Sequence, residues 1–336
     1  MQRLAVSLKR AFTATVIVLT AGLAGCGPTG YKITPVPPDR RLQESVLIDE
    51  GGFFPAKIAL IDVEGILLDR PRFTLIGEGE HPVSLLVEKL DKAASDPRVR
   101  GLVLRINSPG GTVTASDLMF KEILHFKQRT GHKRPVLAVM MDVAASGAYY
   151  VACAADGIVA HPSTVTGSIG VMMQMVNFAG TMHKLGIGAD AIKSGPMKDA
   201  GSPLRHMTAE ERAVFQGIID HFYDGFVTMV ADRRPGLDEA QVRELADGRV
   251  WTAKEALELG FIDQIGTLRT ALAAMKQQIG AERVRVVTYH RPLGWKPNIY
   301  ASQPGGPPQV NLINIDLPST WTDTAPRFLY LWAPGW

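Results

Sequence analysis

The run Gly101-Leu-Val-Leu-Arg-Ile106 leads without a break into Asn107-Ser-Pro-Gly-Gly111. A short apolar run with one charge and no alternation predicts a strand buried on both faces, as in a parallel sheet. Val136 to Met141 is a second such strand, running on toward Ala144-Ala-Ser-Gly-Ala148, and Gly157 to Ala160 reads as a third. Lys57 to Leu67 is a further β-rich run, and Ala189 to Lys193 is expected to form a fourth strand. Between them lie helical patterns: Val83, Leu86, Val87 and Leu90, then about Ala115 to Lys127, then about Gly147 to Ala154. Strands that alternate with helices and lack hairpin turns imply an α/β domain of right-handed crossover units.

The second half is more helical. Thr208 with Glu211 spells a capping box, and Phe215, Ile218, Ile219, Phe222, Phe226 and Val230 then make an apolar stripe up to Pro235. Asp238 with Gln241 and Thr252 with Glu255 open two more helices, the second stopped by Gly260. Val284 to Tyr289 reads as a last strand. From Pro292 onward, proline and glycine recur without period and the chain ends in Phe328-Leu-Tyr-Leu-Trp-Ala-Pro-Gly-Trp336. That end is too apolar for a free tail in water, so it is expected to pack either on its own domain or on a neighbouring subunit.

At the other terminus Arg3, Lys9 and Arg10 precede an uncharged stretch, Ala11 to Ala24, which closes in Leu23-Ala-Gly-Cys26. A basic start, an apolar segment too short to span a bilayer comfortably and small residues before a cysteine read as a secretory signal. The stretch also resembles a bacterial lipobox, which implies cleavage before Cys26 and lipidation of its thiol. Residues 1–25 are thus read as a lipoprotein signal peptide and 26–53 as a lipidated tether, marked by Pro35, Pro37 and Pro38. Residues 54–290 are read as the folded domain and 291–336 as a Pro/Gly-rich tail with an apolar aromatic end. The chain is expected in the cell envelope, facing outside the cytoplasm and held to a membrane by lipid.

Of 36 Lys and Arg, three lie in the first 25 residues, so the remaining chain is formally neutral against 33 Asp and Glu. Neutrality without a clustered Lys/Arg stripe argues against nucleic acid as a partner. With Cys26 used for lipid, Cys153 has no cysteine to pair with, and its apolar setting reads as core. No CxxC, HExxH or carboxylate cluster suggests a metal, and no organic cofactor is implied.

Two turns invite chemistry. In Asn107–Gly111 the paired glycines can aim backbone N–H groups at an oxyanion, a phosphate or a carboxylate, or can simply close a strand-to-helix turn that needs positive φ. Ser146 opens a helix, where a nucleophile would have its developing oxyanion stabilised, but where a serine also serves as an ordinary N-cap. Ala144 and Ala148 replace the outer glycines of a GxSxG elbow. The histidines give it no obvious partner: His161 precedes Pro162 in a loop, His206 adjoins Arg205, and His125, His183 and His221 occupy helical patterns. A lysine base is the remaining route, and Lys198, in the Gly- and Pro-rich loop Lys193 to Pro203, is the candidate. Taken alone, Lys198 beside Asp199 is a solvated surface pair.

Together these motifs resemble, from about Lys57 to Leu272, the bacterial signal peptide peptidase A family of serine–lysine proteases in its short single-copy form. The match rests on Asn107-Ser-Pro-Gly-Gly111, Ala144-Ala-Ser-Gly147, Thr166-Gly-Ser-Ile-Gly170, Lys193-Ser-Gly195 with Lys198-Asp199, and Ala246-Asp-Gly-Arg-Val250. The resemblance implies a Clp protease/crotonase-like fold of repeated β-β-α units with a helical C-terminal part. It implies Ser146 as nucleophile, Lys198 as general base, Ser168 as the hydroxyl that holds the lysine, and Gly111 and Gly147 as the oxyanion site. It further implies peptide substrates such as signal peptide remnants, and a ring-like homo-oligomer whose serine and lysine come from one chain or from neighbours. Two other classes share some of these features. A crotonase-like acyl-CoA hydratase or isomerase would use similar backbone donors, but a hydroxyl at the catalytic turn and export away from CoA disfavour it. A catalytically silent envelope scaffold would have no use for serine, lysine and Ser168 together.

Overall fold

The computed structural model describes residues 41–71, 80–292 and 328–333. In chain order it contains β1 (Gln43–Asp49), β2 (Ala56–Glu64), α1 (Pro82–Ser95), β3 (Val99–Ser108), β4 (Gly110–Thr112), α2 (Val113–Arg129), β5 (Val136–Ala145), α3 (Gly147–Ala152), β6 (Gly157–Ala160), β7 (Val165–Gly167) and β8 (Met172–Met173). It continues with α4 (Ala179–Lys184), α5 (Ala209–Arg233), α6 (Glu239–Leu245), β9 (Val250–Thr252), α7 (Ala253–Glu258), β10 (Gln264–Ile265), α8 (Leu268–Gln278), β11 (Val284–His290) and β12 (Phe328–Leu331).

The main sheet runs β1-β11-β2-β3-β5-β6-β10, and its strands from β11 to β10 are parallel neighbours. Helices cover both faces, which is why β3 shows no alternation in sequence. Leu102, Leu104 and Ile106 face α1 and α2, while Val103 faces Leu268, Leu272 and Met275 of α8. Gly101 lets α8 come close, since a Cβ there would overlap the Met275 thioether. Val99 to Arg129 runs strand, short strand, helix, which is the β-β-α unit of the expected class. The three capping boxes read from sequence, at Thr208, Asp238 and Thr252, all form.

Three readings change. Ala189 to Lys193 is not a strand: it lies exposed between α4 and a turn, with Ile192 fully open to solvent and no described strand beside it to supply a ladder. The stretch read as tether contains β1, an antiparallel edge strand on β11 whose Glu44 carboxylate takes two hydrogen bonds from the Lys57 ammonium at 2.6 and 2.8 Å. Its apolar content is too thin to announce it, and tertiary pairing makes it. The α5 stripe is covered over its last third only: Phe226, Val227, Met229 and Val230 are buried, whereas Phe215, Ile218 and Ile219 are half-exposed. The signal segment and Cys26 lie outside the described residues, and no described helix is long and apolar enough to cross a membrane.

Candidate active site

Strand β5 carries the chain to Ser146, which turns it sharply into α3. The serine sits at φ 54°, ψ −117°, in a region that residues with a Cβ rarely enter. It occupies the N-cap position but makes no cap hydrogen bond. Its backbone N–H donates to the Gly167 carbonyl at 2.7 Å, and its Oγ is buried with no hydrogen-bond partner among the described residues. A buried hydroxyl left unsatisfied at a strained position is costly for a purely structural residue, and such positions gather at functional sites. The N-cap alternative therefore fails on geometry.

The Gly167 carbonyl that holds Ser146 belongs to β7, which runs parallel to the end of β5 with Ala145 opposite Gly167. The next residue, Ser168, is also a non-glycine residue at positive φ, 50°, and its N–H donates to the Arg249 carbonyl at 2.6 Å. Asp247-Gly-Arg-Val250 thus fixes the Ser168 turn through β9, which pairs antiparallel with β7. That motif braces the turn beside Ser146.

The glycine turn abuts the same place. Ser108 Oγ donates to the Gly65 carbonyl at 2.6 Å and accepts from the Gly110 N–H at 3.1 Å, which sets the turn after β3. The point that a Cβ on Gly110 would occupy is 2.8 Å from the Gly147 nitrogen, so the turn and the first residue of α3 are in contact. On one edge of β4, Leu67 donates to the Gly110 carbonyl and accepts from Thr112, both at 2.9 Å. Successive backbone groups of a strand point to opposite edges, so the Gly111 N–H faces away from Leu67. Gly111 and Gly147 are thus brought together with Ser146, and both are buried.

Lys198 is not drawn into hydrogen-bond contact with either serine. It lies exposed in a turn, where its N–H donates to the Gly195 carbonyl, and its ammonium has no ion-pair partner among the described residues. The surface pair with Asp199 does not form. Asp199 is held by Lys193 at 2.5 Å and by Arg205 at 2.7 Å, and those hydrogen bonds, Arg205's first, keep its carboxyl well below its ordinary value. Arg205 also bridges to Glu211 of the α5 capping box, which fixes the loop end to the helix. Cys153 is a core residue, and burial pushes its thiol up to about 12.

Residues 128–282 match the family described as Peptidase family S49, a stretch that holds Ser146, Ser168 and Lys198. A provisionally named signal peptide peptidase SppA of Enterococcus faecium is 35% identical over 240 residues, covering 71% of this chain and 69% of that protein. The chain belongs to peptidase family S49. With that it is a serine peptidase, and the hydratase alternative is set aside. Another S49 relative, the chloroplastic serine protease SPPA of Arabidopsis thaliana, is 37% identical over 218 residues. Those residues are 64% of this chain and 32% of the plant protein, so the match spans about a third of that longer relative. Among solved structures, a mutant of ClpP1 from Listeria monocytogenes is similar with a TM-score of 0.41 and 17% identity, covering 63% of this chain and 94% of that one.

Proposed function

We propose that this S49 peptidase is a lipid-anchored envelope endopeptidase that cleaves short, apolar, unfolded peptides, signal peptide remnants among them, through an acyl-enzyme on Ser146. The observation that carries the reading is the Ser146 hydroxyl, buried, without a hydrogen-bond partner among the described residues, and held at positive φ beside Gly111 and Gly147. In the proposed cycle Ser146 Oγ attacks the peptide carbonyl carbon while its proton passes to Lys198 Nζ. The Gly111 and Gly147 N–H groups stabilise the tetrahedral oxygen. As the C–N bond breaks, Lys198 returns the proton to the leaving amine, and water releases the acyl group by the same route. Ser168 holds the lysine in place.

Lys198 sits in a segment rich in uncovered apolar side chains, including Val176, Phe178, Leu185, Ile187 and Ile192. Patches of this kind mark interfaces, which supports a homo-oligomer that carries the lysine to a serine. The lipid anchor rests on Cys26 in its lipobox-like setting. The deciding experiment is hydrolysis of a fluorogenic apolar peptide by Ser146→Ala, Lys198→Ala and the double variant. Each single change is expected to remove nearly all activity, with no further loss in the double, because members of one catalytic unit are not additive. A folded single variant that keeps most of its activity would refute the dyad.

A further inference from the structure

The two ends of the main sheet are finished differently. At the carboxyl ends of the strands, toward Ser146, the chain covers itself: β12 pairs antiparallel with β4 and β8, so the apolar tail packs on its own domain. At the amino ends two aromatic side chains stand in the open. Phe53 and Phe54 are 99% and 82% exposed, at the tip of the loop Gly51-Gly-Phe-Phe-Pro55 that leads into β2. Gly51, Gly52 and Phe54 have φ of 75°, 106° and 54°, so the turn holds Phe54 in a conformation that side chains with a Cβ rarely enter. Single exposed apolar residues are ordinary on a protein surface, whereas two adjacent rings left open call for a partner.

Cations flank the pair on both sides. The parallel strands β11, β2, β3 and β5 are consecutive neighbours, so their amino ends form a row about 15 Å wide at a spacing of about 4.8 Å. Arg283 immediately precedes β11, Arg100 lies at the start of β3 and Lys133 shortly precedes β5. All three are exposed, and among the described residues none makes an ion pair or a side-chain hydrogen bond. Arg283 runs beside the tip, 3.9 and 3.6 Å from the points that Cβ atoms on Gly51 and Gly52 would occupy. The acids at this end are already engaged: Asp49 with Arg285, Glu50 with Lys276, Asp96 with Lys57 and Asp156 with Lys127. That leaves Glu282 set against three uncommitted cations.

We infer that this end of the domain docks on an anionic lipid surface, with Phe53 and Phe54 seated below the headgroups and Arg100, Lys133 and Arg283 on the lipid phosphates. The rings supply the apolar contact of an interfacial element, and the cations supply its attraction to anionic lipid. A second copy fits the tip poorly, because self-pairing would bring the same three cations together. The inference rests on the anchoring reading of Cys26, which puts a membrane within range. The chain from Cys26 to Gln43 can reach about 55 Å at roughly 3.3 Å per residue, over twice the length of about 24 Å of the seven-residue β1, so lipid on Cys26 and the Phe53 tip can meet one surface. β3 and β5, ten residues each, separate the tip from the Gly110 and Ser146 turns by about 33 Å. Docked this way, the domain holds Ser146 well off the surface and takes peptides that have left the bilayer.

The test places an environment-sensitive dye on the full lipidated chain at Phe53→Cys and, for comparison, at Ser163→Cys, an exposed site past the carboxyl end of β6. Cys153 is buried and does not compete for the label. The proteins are reconstituted in vesicles of equal parts phosphatidylglycerol and phosphatidylcholine with brominated acyl chains. The dye at Phe53→Cys should be quenched by about half or more, since interfacial apolar groups lie roughly 5–10 Å into the headgroup boundary, and the dye at Ser163→Cys should stay bright. Vesicles of phosphatidylcholine alone, or Arg100→Glu, Lys133→Glu and Arg283→Glu together, should remove most of that quenching. Hydrolysis of a soluble fluorogenic peptide should be unchanged throughout, which verifies the fold. A dye at Phe53→Cys that stays bright, or equal quenching at both positions, overturns the docking. Shielding from aqueous iodide without quenching by the brominated lipid means that protein covers the tip, and overturns it too. Fatty-acid labelling of Cys26 and vesicle flotation read the anchor separately. Labelled, floating protein with a bright dye at Phe53→Cys sinks the docking and leaves the anchor standing. A chain that takes up no fatty acid, yet is quenched at Phe53→Cys on added anionic vesicles, supports the docking and refutes the anchor.

Discussion

The Tyr330 carbonyl oxygen lies so close over Gly110 that a Cβ on the glycine would overlap it, and Gly110 itself sits at φ +98°. Both facts forbid a side chain at this position. Gly110→Ala is expected to lose about 1–3 kcal/mol from the backbone conformation alone, and to loosen β12 as well. Denaturant melts of the variant, with and without residues 328–336, check this: the shortened pair should differ by less than the full-length pair.

Ser146→Ala is expected to abolish peptide hydrolysis and yet not to destabilise the protein. The hydroxyl has no hydrogen-bond partner among the described residues, and removing a buried unsatisfied polar group gains about 1 kcal/mol. A thermal melt should place the variant at or above the parent. A clear fall would mean that the Oγ has a structural partner.

Asp263 joins β6 to the helical half. Its carboxylate accepts from the Ile158 N–H at 2.7 Å and from Arg234 at 2.9 and 3.0 Å. Burial by itself raises this carboxyl, but the Arg234 and Ile158 hydrogen bonds outweigh that effect and hold it below its ordinary value of 3.8. A depressed carboxyl contributes stability that is present above the unfolded pKa and lost as pH falls through the folded one. Asp263→Asn should therefore cost about 1 kcal/mol near pH 7, a figure reduced because the side chain is half-exposed. The gap to the parent should shrink below about pH 4, as urea titrations across pH would show.

His161 shares a loop hydrogen bond with Ser163 at 2.8 Å, and among the described residues no hydrogen bond joins it or His206 to Ser146. Replacing either by alanine should leave the pH–rate profile of peptide hydrolysis unchanged. A profile that collapsed in one of them would point to a Ser–His mechanism.

The Cys153 thiol, buried and raised to about 12, should resist iodoacetamide in the folded protein and react once it is denatured, because the thiolate is the nucleophile. Peptide mapping of alkylated Cys153 distinguishes the two states.

Much of the fold was legible because it is local or fully buried. The runs at Gly101, Val136 and Gly157 read as parallel strands, and Thr208, Asp238 and Thr252 announced their helices by capping chemistry. What escaped was decided by distant partners. β1 and β4 are strands because β11 and β12 lie alongside them, and β4 is only Gly-Gly-Thr, with no propensity of its own. At the site, the glycine turn and Ser146 could be singled out by residue type, but the positive φ of Ser146 and Ser168 has no signature in a sequence without glycine at those positions. The tail could be read as needing cover, while its partners β4 and β8, both more than 150 residues away, could not.

β1 also determines how the domain would bear a pull. Any tension entering from the residues before it reaches β1 first, at the outer edge of the sheet, and loads its ladder to β11 together with two side-chain ties, Glu44 to Lys57 and Ser45 to His290 at 2.6 Å. Because Lys57 lies on β2 and also grips Asp96 just past the end of α1 at 2.8 Å, force arriving at the edge is shared at once with a second strand and a helix end. A pull arriving there would meet the outermost strand and its side-chain ties before any other part of the sheet.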